Sequence, residues 1–155
     1  MKNVPEFDWN EEHGTATCIL TDTNKKVYVG FATCHPDDKD MMSEKTGCEI
    51  ALARANIDYY RSLRDNELKP ALAALKQLYY SMNKSKSFNP NSYENKMLQR
   101  QINLKTLDLA TVQEMIVAEQ EKLTAFIKKK EDFYQLIRSK RRVEAKLEQL
   151  ENNKN

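Results

Sequence analysis

The chain has 155 residues, of which 40% are hydrophobic and 31% are charged, and its formal net charge is +2. It contains only three glycines and four prolines, and neither residue type occurs after Pro90. So few turn-forming residues exclude an all-β sandwich, a glycine-rich phosphate loop and a doubly wound α/β domain. The composition predicts a mainly helical protein with a small β-forming part near its N-terminus.

The N-terminal third differs in charge from the rest of the chain. Residues 1–50 contain five Lys or Arg and ten Asp or Glu, a balance of −5, so the remaining residues carry +7. Opposite signs favour contacts between the two parts, within one chain or between chains. The three cysteines are an odd number, and we find no signal peptide or membrane-spanning stretch. We therefore predict a soluble cytoplasmic protein that makes no membrane contact.

The first 45 residues predict a flexible segment followed by a β-hairpin head. Residues 1–14 are polar, and we expect them to be flexible. Residues 15–21 and 26–34 are rich in β-branched and aromatic side chains, and turn-forming residues separate them. The head, residues 15–45, therefore consists of one hairpin and a polar connection to the next element.

Two long amphipathic helices are predicted after the head. The first covers residues 46–83 and is kinked near Pro70, because proline cannot donate a helical hydrogen bond. Residues 84–91 form a loop, and a second helix with a basic C-terminal extension covers residues 92–155.

Two further predictions concern the N-caps of these helices and the length of the second helix. Capping patterns place the N-caps of the two helices at Thr46 and Asn91. A second helix without a break would be roughly 90 Å long, and a single chain cannot bury the apolar stripe along it. The predicted fold is therefore mainly α (α+β): a small N-terminal β-hairpin followed by two long antiparallel helices, in an oligomer.

Two groups of residues have the chemistry to bind a nucleotide. The first helix places arginines beside tyrosines, and the loop between the helices combines an aromatic ring, carboxamides and a cation. Guanidinium groups bind phosphate bidentately, and aromatic rings can stack on bases. For each of these side chains the alternative is a solvated, ion-paired or packing role. The candidate ligand-binding residues are Arg54, Arg61, Arg64, Tyr60, Phe88, Asn89, Asn91, Tyr93, Asn95 and Arg100.

Three other patterns bear on metal binding, catalysis and nucleic-acid binding. Cys34 and His35 are zinc-ligand types, but their spacing is not that of a zinc motif, and buried cysteines followed by a turn are the simpler interpretation. No Cys or His lies in a nucleophile signature, so we predict no enzyme, no metal and no cofactor. The basic residues 128–146 could follow a nucleic-acid backbone, although the charged end of a coiled coil fits them better.

Three short segments, Cys34–Asp38 (CHPDD), Ser43–Gly47 (SEKTG) and Ser92–Lys96 (SYENK), resemble phage proteins. With the β part and two long helices, roughly over residues 15–127, the chain is similar to the Thoeris anti-defence sponge family. The resemblance implies a homo-oligomer in the infected bacterium's cytoplasm that sequesters a cyclic ADP-ribose-type signal without cleaving it. The extension after about Lys130 departs from that layout. The alternative is a non-enzymatic helical phage protein that binds a host defence protein or nucleic acid directly.

Overall fold

The computed structural model describes residues 3–35, 38, 40–84 and 87–154. These residues form a three-stranded antiparallel sheet, in the order β1-β2-β3, followed by α-helices. This confirms the mainly helical fold with a small N-terminal β part, whereas the oligomer stays a prediction. The elements are β1 (Val4–Asn10), β2 (Thr15–Thr21), β3 (Val27–Thr33), α1 (Glu44–Ser62), α2 (Lys69–Asn83) and α3 (Tyr93–Asn152).

The sheet has one strand more than the predicted hairpin. The stretch expected to be flexible contains β1, which pairs with β2 along its whole length. Trp9 lies opposite Ala16 in this pairing and packs against the buried core. Phe7 and Trp9 alternate with Glu6 and Asp8, which is the two-residue period of a strand, but the polar residues lower the β propensity of this short segment. Pairing with β2, a tertiary feature, is what makes it a strand.

The core of the head lies between the inner face of the sheet and α1. Small side chains on both elements let the helix approach the strands closely. The approach is closest at Gly30 of β3, where a Cβ atom would lie 1.8 Å from the carbonyl oxygen of Ala51. The buried residues of this core are Ala16, Cys18, Leu20, Tyr28, Ala32, Met42, Ala51 and Ala55.

Asp22 closes the turn between β2 and β3. Its carboxylate accepts hydrogen bonds from the backbone N–H groups of Asn24 (2.8 Å) and Lys26 (2.9 Å) and from the hydroxyl of Tyr28 (3.0 Å). Desolvation opposes the charged form, but these hydrogen bonds outweigh it and lower the pKa of Asp22. The turn is therefore most stable when Asp22 is ionised.

We expect Asp22→Asn to be less stable than the wild type near pH 7, and the difference to disappear in acid. A carboxylate with a lowered pKa stabilises the fold above its unfolded value of about 3.9 and loses this effect as the pH falls through its folded pKa. Urea-unfolding midpoints at about pH 7 and about pH 2.5 measure the difference. A difference of equal size at both pH values would show that the charge of Asp22 does not stabilise the turn.

Both long helices begin at a serine, which corrects the predicted N-caps Thr46 and Asn91. The hydroxyl of Ser43 accepts from the backbone N–H of Thr46 (3.1 Å), and that of Ser92 accepts from the N–H of Asn95 (3.3 Å). Ser43 and Ser92 are extended, as an N-cap requires, while Thr46 already lies inside α1 and Asn91 lies one residue before the cap of α3.

The first helical stretch contains a π-helical segment, Leu63–Leu68, immediately before α2. The backbone N–H of Lys69 bonds to the carbonyl of Arg64, one residue further back than in an α-helix. Pro70 follows at the start of α2 and cannot donate a backbone hydrogen bond. The irregularity predicted near Pro70 is thus a wider turn that comes just before the proline.

Helix α3 is continuous over 60 residues and packs antiparallel to α1 and α2. Its middle part lies beside the π-helical segment, where Leu68 packs with Val112 and Ile116. At 1.5 Å per residue the helix is about 90 Å long, and all of its residues after Arg138 are exposed. Within the described residues, no helix is both long enough and apolar enough to cross a bilayer.

Candidate functional site

A groove of about 680 Å³ lies where β3, α1 and α3 meet. This is within the volume range of small-molecule sites. Two arginines and one aspartate give its lining a net positive charge, and aliphatic side chains provide apolar surface. The residues that line the groove are Val29, Arg54, Ile57, Asp58, Arg61, Gln120, Leu123 and Thr124.

Helix α1 supplies the charged wall of the groove. Arg54, Asp58 and Arg61 are spaced by four and three residues, which places them on one face of an α-helix. The two arginines are two turns apart, about 10 Å along the helix axis. Arginine side chains are long enough to converge from these two positions on neighbouring phosphates of one ligand, and the carboxylate between them can accept from a hydroxyl or an amine.

Arg54 also holds α1 against the edge of the sheet. Its Nη1 donates a hydrogen bond to the backbone carbonyl oxygen of Phe31 at 2.6 Å. Because β3 is an edge strand, this contact covers part of a free edge that could otherwise pair with another chain. The contact fixes the guanidinium group at the groove while using only one of its several N–H donors.

Arg64 and Tyr60, two of the predicted ligand-binding residues, contact the protein itself and do not line the groove. Arg64 donates to both carboxylate oxygens of Asp65 (2.8 and 3.0 Å) and to Oε1 of Gln113 (2.7 Å). The hydrogen bonds with Asp65 raise the pKa of Arg64 and hold that of Asp65 well below its usual range. Tyr60 packs against the cluster that joins the π-helical segment to α3, and burial raises the pKa of Tyr60.

The second predicted group lies at the other end of the helical hairpin. Helical geometry puts Asn83, where α2 ends, about 33 Å from Arg61, so one chain does not bring the two groups into one pocket. Phe88 packs edge-on against Tyr79, with 6.1 Å between the ring centroids. Asn91 is exposed in this loop.

The carboxamides of this loop mainly hold the loop together. The side-chain oxygen of Asn89 accepts from the backbone N–H of Asn91 at 2.9 Å. The backbone carbonyl oxygen of Asn89 accepts from the carboxamide NH₂ of the buried Asn95. Tyr93 and Arg100 are exposed on the first turns of α3. These contacts support a structural role for Asn89 and Asn95, in which they form the turn that leads into α3.

Sequence reasoning missed the part of the groove that α3 supplies. Asp58 could have been found, because it lies one helical turn from Arg54. Gln120, Leu123 and Thr124 have no motif around them and reach the groove only through the pairing of α3 with α1. The spacing of residues within one helix carries no information about that pairing.

The cysteines and histidines form no metal centre among the described residues, in which no three or more His, Cys, Asp or Glu side chains are grouped to hold an ion. No disulfide joins Cys18, Cys34 and Cys48, and burial raises the pKa values of Cys18 and Cys48. A higher pKa leaves less of the reactive thiolate near neutral pH. Residues 36 and 37, part of the zinc alternative, lie outside the described residues.

Two cations of the basic segment 128–146 bind the acidic head. Arg138 contacts the buried carboxylate of Asp38 at 2.6 Å, and Arg141 contacts Asp40 at 2.8 Å. The hydrogen bond from Arg141 lowers the pKa of Asp40. Acidic groups of the head and basic groups of α3 therefore form ion pairs within the chain. These pairs leave fewer free cations for a nucleic-acid backbone.

Comparisons with protein-family models, curated proteins and solved structures give no match. The fold and the groove define a broad class: a mainly helical protein with a three-stranded sheet and an arginine-lined surface groove. The resemblance to the Thoeris anti-defence sponge family stays a prediction.

Proposed function

We propose that this protein binds and sequesters a small anionic nucleotide, of the cyclic ADP-ribose type, without cleaving it. The observation that supports this best is the placement of Arg54 and Arg61 on one wall of a groove large enough for such a ligand. The sequence resemblance supplies the ligand class and the biological setting: a phage protein that withdraws an immune signal in the cytoplasm of the infected host.

The lining of the groove matches the parts of a nucleotide. The two guanidinium groups would bind phosphate oxygens, and the polar groups of Asp58, Gln120 and Thr124 would bind ribose hydroxyls or the base edge. The aliphatic side chains of the groove would cover one face of the base. In this proposal the Phe88 loop is not part of the site. The lining contains a single carboxylate, that of Asp58, whereas cleavage of a glycosidic bond ordinarily uses a pair, and this favours binding over cleavage.

A thermal-shift panel tests this function on the purified chain. The panel contains cyclic ADP-ribose isomers, cyclic di- and trinucleotides, ADP-ribose and NAD. A ligand at 100 times its dissociation constant adds about 2.7 kcal/mol of stability, so a selective and clear rise of the melting temperature is expected. The bound nucleotide should be recovered unchanged after denaturation. A flat panel, or a nucleotide recovered in cleaved form, contradicts the proposal.

A second candidate is direct binding of a host protein through the outer face of the sheet. Val27, Val29 and Phe31 of β3 are each at least half exposed there, and they form an apolar strip on an edge strand. With a flat nucleotide panel and specific capture of one host protein that Phe31→Asp abolishes, this function would replace the first. Direct binding of nucleic acid is less favoured, because Arg138 and Arg141 are paired with the head.

A further inference from the structure

The C-terminal part of α3 carries a regular heptad seam. Its positions alternate in steps of three and four residues, as a and d positions of a coiled coil do. Every apolar side chain of the seam is more than half exposed. The seam consists of Phe133, Lys140 and Leu147 at a positions and Leu136, Val143 and Leu150 at d positions.

The seam faces away from the protein's own head. Tyr134, Arg138 and Arg141 make the contacts of this part of α3 with the head: Tyr134 is buried, and the two arginines bind Asp38 and Asp40. At about 100° per residue, these three positions are grouped on the side of the helix nearly opposite the seam. The contacts with the head therefore hold α3 in place and leave the seam exposed.

We propose that the seams of two copies pair as a parallel two-stranded coiled coil. Lysine at a single a position, here Lys140, is a known device for setting register and the number of strands. Charge specifies the orientation: Lys146 is at a g position and Glu151 at the following e position, and these meet between chains only in a parallel pair. Antiparallel pairing would place g beside g and e beside e.

This pairing makes the protein a dimer with both heads at the same end of a shared stalk. The interface is separate from the groove and does not depend on any nucleotide. A wild type that binds a nucleotide but stays monomeric would overturn the dimer alone, and a dimeric wild type with a flat nucleotide panel would overturn the proposed function alone.

Sedimentation of the full chain over a range of concentrations tests the seam. The wild type is expected to approach twice its mass of 18.1 kDa as the concentration rises. Val143→Asp should raise the dissociation constant on the order of tenfold or more, because a carboxylate at a d position is buried between the helices. Ala145→Asp is the matched control on the side of the helix opposite the seam, and it should change the dissociation constant little. A wild type that is monomeric at every concentration overturns the proposal.

Two further variants test the charges and the orientation. Lys146→Glu should weaken the dimer, and adding Glu151→Lys should restore it, because the exchange brings opposite charges together again. Leu150→Cys should form an interchain disulfide under mild oxidation, since identical d positions meet only in a parallel pair, whereas Ala145→Cys should not. A dimer that is not crosslinked through Leu150→Cys, or that is not restored by the charge exchange, overturns parallel pairing.

Discussion

Gly30→Ala is expected to lower the free energy of unfolding by about 3 kcal/mol or more. The new Cβ atom would lie 1.8 Å from the carbonyl oxygen of Ala51 and 2.5 Å from the backbone nitrogen of Ala55. Because both are backbone atoms of α1, no side chain can move aside, and the helix must shift away from β3. Urea unfolding followed by circular dichroism measures the loss.

Gly47→Ala is the matched control for this prediction. A Cβ atom there would meet side-chain atoms of Trp9 at 2.8 Å, Met42 at 3.0 Å and Ala16 at 3.1 Å. Trp9 and Met42 can adjust more readily than a helix backbone, although the Cβ atom of Ala16 is fixed to β2. Replacing glycine by alanine inside a helix also contributes about 1 kcal/mol through helix propensity, which offsets part of the strain. We expect a net change within about 1 kcal/mol. An equal loss for both variants would show that the close approach at Gly30 is not the cause.

Arg61→Glu is expected to weaken nucleotide binding by at least about tenfold, and the Arg54→Glu/Arg61→Glu double variant by at least about a hundredfold. A hydrogen bond to a charged group contributes roughly 1.5 to 3 kcal/mol, and about 1.4 kcal/mol corresponds to a factor of ten. Calorimetric titration measures the effect with cyclic ADP-ribose or with the nucleotide that stabilises the protein most. Arg61 is exposed, so the single variant should unfold at the wild-type midpoint.

Arg100→Glu is the control with the same change of charge at the other end of the hairpin. Arg100 is exposed on α3, away from the groove, and we expect its reversal to leave the nucleotide affinity within about twofold of the wild type. If Arg100→Glu weakens binding and Arg61→Glu does not, the ligand is held at the Phe88 loop and the groove is not the site.

Local patterns in the sequence were sufficient to predict most of the elements. Alternating β-branched and aromatic residues indicated β2 and β3, and apolar residues at helical spacing indicated the long helices. The prediction missed β1, although Phe7 and Trp9 alternate with polar residues there, because the segment is short and polar overall and is stabilised by pairing with β2. They also missed the serine caps, because neighbouring residues offered a similar pattern and only the backbone shows where each helix begins.

The residues of the candidate site also fall into two groups: those that local spacing predicts and those that only the packing of the helices brings together. The spacing of Arg54 and Arg61 predicts that they share a face of one helix, because residues seven apart lie on the same side. The contacts of Arg64 with Asp65 and Gln113, and the distance of the Phe88 loop from the groove, follow from the packing of the whole chain. Helical spacing sets the neighbours within one element, whereas the packing of α3 against Leu68 sets which residues of another element complete the groove.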